Sequence, residues 1–289
     1  MARQAGRVGA VVPLFGSKRQ MSSDIVQYIG PHDAYLAPFV GSCAVELAKP
    51  VARMEILNDL SGHLVNLLQV VADDDRAAEL HWRVGRTTFC EPIYLAAVDW
   101  LRCNPPPPWE SVQDGPGAHA EAAYRYLVAS WMGRNGLVGT TGELDTGFCV
   151  RYTSGGGDPA ARWRAVADSL PWWWQRLRQA TILRRNGIDL CERFQDRAGA
   201  VIYADPPYLA KQATYIHDFA DADHERLAAA LRRFKLTRVV VSYYDDQRLA
   251  ALYPGWRKVA VGVTKNLSVR RDGGVETAPE VLLINQLAV

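Results

Sequence analysis

A chain of 289 residues is long enough to bury one sizeable core with room for a smaller second lobe. Its 48% hydrophobic and 22% charged content are those of an ordinary soluble globular protein, and a net charge of +2 is too small to announce a nucleic-acid binder by itself. Five scattered cysteines (Cys43, Cys90, Cys103, Cys149, Cys191) without a C-x-x-C pair argue against a zinc site or a disulfide framework. The sequence has no apolar run of roughly 20 residues, and Arg3 and Arg7 precede no secretory-type apolar stretch. A reduced, cytoplasmic setting with no membrane partner is therefore expected.

The chain opens on an irregular Gly/Arg-rich segment and reaches Pro13-Leu14-Phe15-Gly16-Ser17-Lys18. This reads as a small-residue turn leading into a helical pattern at Ile25, Val26 and Ile29. Small residues let a backbone approach a ligand, and Lys18 has the reach to hold a carboxylate. A turn with a solvated lysine fits the same residues. Next, an apolar strand over 35–40 runs into Gly41-Ser42-Cys43, and 44–47 open a helix. Such a β-turn-α unit brings backbone close to a nucleoside, although tight turns in other α/β proteins look alike. It is not a P-loop, because no Gly-Lys-Ser/Thr follows.

A second strand over 53–59 ends in Asn58-Asp59, about twenty residues after the glycine turn. Nucleoside-binding α/β sites put a carboxylate on ribose hydroxyls at that spacing. Because a helical pattern follows at Leu60, Leu64, Leu67 and Leu68, Asp59 also reads as a helix N-cap.

From 72 to 178 the strand–helix rhythm breaks down. Four prolines, 105–108, mark a loop or stiff spacer, and 118–132 read as a helix. A further helix over 160–178 is expected to break at Pro171, before Trp172-Trp173-Trp174, which read as core. Arginines 134, 151, 162, 164, 176, 178, 184 and 185 interleave with aromatics, a mixture suited to phosphate and base contacts or to a solvated surface. The stretch reads as a separate inserted lobe.

The sheet resumes over 180–183 and 200–204. The latter strand ends in Asp205-Pro206-Pro207-Tyr208. Two prolines cannot continue a ladder, so the strand stops at Asp205 and a stiff loop follows at its C-terminal edge, where open α/β sheets bind ligands. A carboxylate, a fixed Pro206 carbonyl and a flat Tyr208 ring suit the exocyclic NH₂ of a planar base, with both N–H groups gripped and one face stacked. The plainer reading is a turn with a capping Asp. A helix over 222–234, a strand over 238–243 ending in Ser242-Tyr243-Tyr244-Asp245, and strands over 256–263 and 279–285 complete the chain. The polar, basic 265–274 segment between the last two strands reads as a loop.

Taken together, these motifs resemble the Dam-like, D12-class N6-adenine DNA methyltransferases. Phe15-Gly16-Ser17-Lys18 looks like the family's N-terminal cofactor motif, and Pro38-Phe39-Val40-Gly41-Ser42-Cys43 its glycine turn. Asn58-Asp59 looks like the acid that holds the cofactor's nucleoside, and Asp205-Pro206-Pro207-Tyr208 the catalytic motif. Weaker echoes are Arg134-Asn135-Gly136 and Ser242-Tyr243-Tyr244-Asp245. Ala37 stands where the family usually has Glu, and Cys43 where it usually has a second Gly.

The resemblance implies an α/β, Rossmann-like S-adenosylmethionine-dependent methyltransferase sheet with helices on both faces. It also implies an inserted, mainly helical target-recognition domain over 76–178, between catalytic segments 1–75 and 179–289. It implies transfer of a methyl group from S-adenosylmethionine to N6 of adenine in double-stranded DNA, without a metal. Asp205, Pro206 and Tyr208 would be catalytic. Phe15, Lys18, Phe39, Gly41, Asp59 and Asp205 would bind the cofactor. Arg134, Asn135 and Tyr215 would touch DNA, with Lys211 and the 265–271 segment near it by position. A restriction endonuclease is a partner the resemblance admits. Competing readings are a methyltransferase acting on cytosine N4, an RNA base or glutamine, and a DNA-binding homologue impaired in catalysis.

Overall fold

The computed structural model describes residues 7–14, 16–106, 119–134, 142, 144, 146–150, 157–209, 219–269 and 275–287. Phe15, Asn135, Arg151, Lys211 and Tyr215 lie outside the described residues, as does 270–274.

Seven strands form one sheet: β1 (Ala34–Ala37), β2 (Met54–Asn58), β3 (Thr181–Leu183), β4 (Ala200–Ala204), β5 (Arg238–Tyr244), β6 (Arg257–Val269) and β7 (Val275–Ile284). Their order is β3-β2-β1-β4-β5-β7-β6. The first five strands in that order pair in parallel, and β7 joins β5 and β6 antiparallel. The chain thus steps outward from β1 to β2 and β3, then returns to β4 on the other side of β1. A crevice opens at such a reversal, outside the C-terminal strand ends.

Alternation along the strands divides the core in two. Tyr35, Ala37, Val201, Tyr203 and Val240 face one cluster. It includes residues of α1 (Ser22–Ile29), α2 (Ala44–Ala48), α3 (Gly62–Ala72), α4 (Asp74–Gly85), α5 (Glu91–Cys103), α6 (Ala120–Met132) and α7 (Pro159–Leu177). Leu36, Ile202, Ala204, Val239 and Val241 face the other, with α8 (Gly187–Arg193), α9 (Asp221–Arg232) and α10 (Leu249–Leu252). A strand buried on both faces must be apolar throughout, which explains the unbroken runs 34–37 and 200–204. The Rossmann-like expectation is borne out. Among the described residues no helix is long and apolar enough to cross a membrane.

The structure corrects four readings. Helices α4 and α5 fill part of the stretch that showed no rhythm; their buried stripes, Ala77/Leu80/Val84 and Tyr94/Ala97/Val98/Leu101, recur every three or four residues. Helix α7 runs through Pro171 without a break. Trp163, Val166, Leu170, Trp173 and Leu177 are all buried on one stripe, so packing on both sides of Pro171 outweighs its missing hydrogen bond. Arg176 is not a surface cation: both its NH groups reach the buried Glu55, at 2.6 and 2.9 Å, and Lys49 also pairs with Glu55. Finally, 265–269 belong to β6, which pairs with β7 as far as Val269↔Val275; the ladder extends the hairpin beyond the sheet through the polar sequence.

Candidate functional site

The crevice between β1 and β4 is a cleft of about 200 Å³. The loop after β1 forms one wall, the stretch after β4 the other, and the turn before the 3-10 helix Lys18–Gln20 closes over it. Lys18, Phe39, Gly41, Asp59, Asp205, Pro206 and Tyr208 all line it. Residues scattered from 18 to 208 therefore meet in one place, as the motif reading requires.

The glycine turn is held by local bonds. Gly41 has a positive φ of 52°, and its N–H donates to Asp59 Oδ2 at 3.0 Å. A Cβ at Gly41 would stand 3.2 Å from the Leu14 side chain, so the turn lies tight against the N-terminal loop. Ser17 and Ser42 hydroxyls meet at 2.8 Å across the same seam. Asn58 donates to the carbonyls of Pro38 and Arg185 at 2.9 and 2.8 Å, and so ties the loops after β1 and β3 together. Cys43 takes a left-handed conformation, φ 61°, that a glycine adopts without strain. Burial pushes its thiol well above the usual range.

Asp59 is not the helix cap. Ser61 is the N-cap of α3, and Asp59 Oδ1 instead accepts from the Ser61 N–H at 3.0 Å. Its carboxylate stands at the end of β2 and faces the cleft. Phe39 meets Phe219 edge-to-face at 5.8 Å, giving the cleft an apolar aromatic corner.

Around Asp205 the geometry is tighter than the sequence foretold. The Lys18 ammonium lies 2.7 Å from Asp205 Oδ2 and 3.1 Å from Glu280 Oε1, and also donates to the Gly16 carbonyl at 3.0 Å. It sits 4.9 Å from the centre of the Tyr208 ring. The Tyr208 hydroxyl donates to Glu280 Oε1 at 2.6 Å and stands 3.2 Å from Asp205 Oδ1. Ser242 donates to the same Glu280 oxygen at 2.8 Å. Tyr244 meets the Tyr208 ring edge-on at 4.4 Å. Burial opposes charge on Lys18, but the two carboxylates outweigh it and hold the ammonium above its ordinary range. Burial likewise raises the Asp205 carboxyl; Lys18 pulls it back, Glu280 pushes it up again, and the net direction is upward.

Glu280 escaped the sequence reading because it lies on an antiparallel strand 75 residues from Asp205, inside an ordinary-looking Pro-Glu-Val-Leu-Leu run. Its register opposite Tyr244 brings it to the site. Glu46, a buried acid on the cleft-lining face of α2, was also missed. Arg134 is exposed after α6, its N–H bonded to the Gly147 carbonyl at 3.0 Å, and it does not line the cleft. Among the described residues the cleft's acids, Glu46, Asp59, Asp205 and Asp223, outnumber its one cation, Lys18. That balance disfavours a phosphate and favours a ligand with positive charge and hydroxyls.

Residues 15–95 match the family model of the D12 class N6 adenine-specific DNA methyltransferase. The match spans Lys18, Phe39, Gly41 and Asp59 and ends before Asp205. A DNA adenine methylase of Serratia marcescens is 24% identical over 253 residues, covering 80% of this chain and 82% of that protein.

Proposed function

We propose that the chain is an N6 adenine-specific DNA methyltransferase of the D12 class, and that its cleft binds S-adenosylmethionine beside a flipped adenine and methylates the N6 amino group. The observation that carries this reading is the meeting of the Asp59-bound glycine turn with a fixed Asp205-Pro206-Pro207-Tyr208 loop in one cleft. The donor fits the residues present: the Gly41 turn lines the cleft without a side chain, Asp59 offers an acceptor for ribose hydroxyls, and Phe39 with Phe219 offers an apolar corner for a ring. When bound, S-adenosylmethionine supplies a sulfonium methyl that is electrophilic without help from a metal.

The protein's task is to make a poor nucleophile attack. Adenine's amino lone pair is delocalised into the ring. Asp205 and the Pro206 carbonyl accept its two N–H bonds and draw the nitrogen toward a tetrahedral shape, with its lone pair aimed at the methyl. Lys18 holds the Asp205 carboxylate in place through Oδ2, and Tyr208, whose hydroxyl is bonded to Glu280, stands beside Oδ1. We assign Lys18 to this orienting role ahead of the cofactor contact its motif implies. Once N6 carries the methyl group it has a proton to give up, and Asp205 would take it. Flipping the base costs a few kcal/mol, and stacking on Tyr208 returns about 1–3 kcal/mol of it.

In this reading 1–75 and 179–289 form the catalytic part and 76–178 the target-recognition part, with Arg134, Asn135 and Tyr215 as DNA contacts on double-stranded DNA. The test is Asp205→Ala. Methyl incorporation into DNA is expected to fall below detection while far-UV circular dichroism and melting stay close to wild type. Substantial activity in that variant rejects the assignment.

A further inference from the structure

The cleft has a second polar end that the mechanism does not use. Glu46 projects from α2, a short helix laid against the sheet directly after the glycine turn, and is 2% exposed while lining the cleft. One of its oxygens accepts from the Tyr35 hydroxyl at 2.8 Å. Tyr203, on the neighbouring strand β4, also lines the cleft, and its hydroxyl is buried without a hydrogen-bond partner. A buried carboxyl with an open hydroxyl on the same cleft forms a receptor for a group that donates several hydrogen bonds and carries positive charge.

Building on the cofactor reading above, we propose that Glu46, with the Tyr203 hydroxyl, receives the primary ammonium of the methyl donor's amino-acid arm. Asp59 then stands at the nucleoside end and Glu46 at the amino-acid end of one ligand. The groups around Glu46 are compatible with this role. Tyr35 on β1 donates to it, Tyr203 and Cys43 carry no charge, and Lys49 and Arg176, the cations that act on it, are already engaged by Glu55. Burial raises the Glu46 carboxyl to about 7, against a smaller opposing effect of the Tyr35 bond. An arriving ammonium favours the ionised form, so ligand binding releases a proton and tightens as pH rises from about 6 to about 7.5.

The test compares two ligands by calorimetry. S-adenosylhomocysteine carries the amino-acid arm; 5′-methylthioadenosine keeps the nucleoside and lacks that arm. Glu46→Gln keeps the shape of the side chain and removes the charge. It is expected to weaken S-adenosylhomocysteine by at least about tenfold, abolish the pH dependence of that binding, and leave 5′-methylthioadenosine within about twofold of wild type. Unchanged 5′-methylthioadenosine binding also shows that the variant is folded. Equal affinity of wild type and variant for S-adenosylhomocysteine overturns the proposal, as does an equal loss for both ligands. Should Glu46→Gln fail to fold, Tyr203→Phe is measured against the same pair of ligands. A loss confined to S-adenosylhomocysteine is again expected, and no loss, or an equal loss for both, again overturns the proposal. A wild-type protein that binds neither ligand overturns the cofactor reading itself, and this proposal with it.

Discussion

Lys18 is the cation on which Asp205, Glu280 and the Tyr208 ring converge. Removing it leaves two carboxylates sharing a buried site, which is costly in itself and also frees Asp205 to turn. Lys18→Met is expected to lower kcat by about two orders of magnitude and to destabilise the protein by about 3 kcal/mol, measured by single-turnover kinetics and urea unfolding. Wild-type kcat in that variant contradicts the orienting role. If Asp205 takes the N6 proton as proposed, it must be ionised beforehand; its carboxyl is shifted upward, so the acid limb of the kcat profile should lie above the ordinary aspartate range. Glu46 bears on stability with a defined sign. Its folded value of about 7 lies above the unfolded one near 4.5, so its contribution is full below pH 4.5 and is lost as pH rises to 7. The loss is on the order of 3 kcal/mol. Glu46→Gln keeps the bond from Tyr35 and should therefore be more stable than wild type at about pH 8 and about equal at about pH 4; the reverse order at the higher pH contradicts the shift. At this scale Asp205 was legible because two prolines stop a strand beside it. Glu280 and Glu46 were not, because their importance comes from strand register and from a helix seated on the sheet, which no local spacing reveals.

Pro171 shows how tertiary packing overrides a local signal. It is exposed, and the residues before and after it bury one apolar stripe against the core. Nothing in the structure requires a proline there. Pro171→Ala restores a backbone N–H at a helical position and should raise stability by about 1–3 kcal/mol, read as a higher urea midpoint with an unchanged slope. A lower midpoint would mean that the proline itself is needed. The sheet strands β1, β4 and β5 were legible because four to seven mostly buried residues leave little ambiguity, and β2 was legible because it ends in Asn58-Asp59 before a helical pattern. Helices α4 and α5 carry clear stripes, but Arg, His and Trp crowd their exposed faces and mask the period. The β6–β7 hairpin outran its apolar core, so its outer residues read as loop.

For the whole molecule, the notable feature is continuity. Residues of α4, α5, α6 and α7 share one hydrophobic cluster with α1, α3 and one face of the sheet. The segment proposed for target recognition therefore has no separate core among the described residues, although the sequence reads as a separate lobe. Thermal unfolding should be a single transition, coincident by far-UV circular dichroism and tryptophan fluorescence; two resolved transitions would show that 76–178 folds as its own unit. If 76–178 recognises the target as proposed, the shared core would keep it from moving independently of the sheet. Which atom is methylated decides between the adenine reading and its competitors. The most direct measurement incubates the protein with radiolabelled S-adenosylmethionine and unmethylated double-stranded DNA, digests the DNA and resolves the nucleosides. Label in N6-methyldeoxyadenosine is the predicted result; label confined to N4-methyldeoxycytidine, or no label in DNA from protein that binds the cofactor, would contradict it.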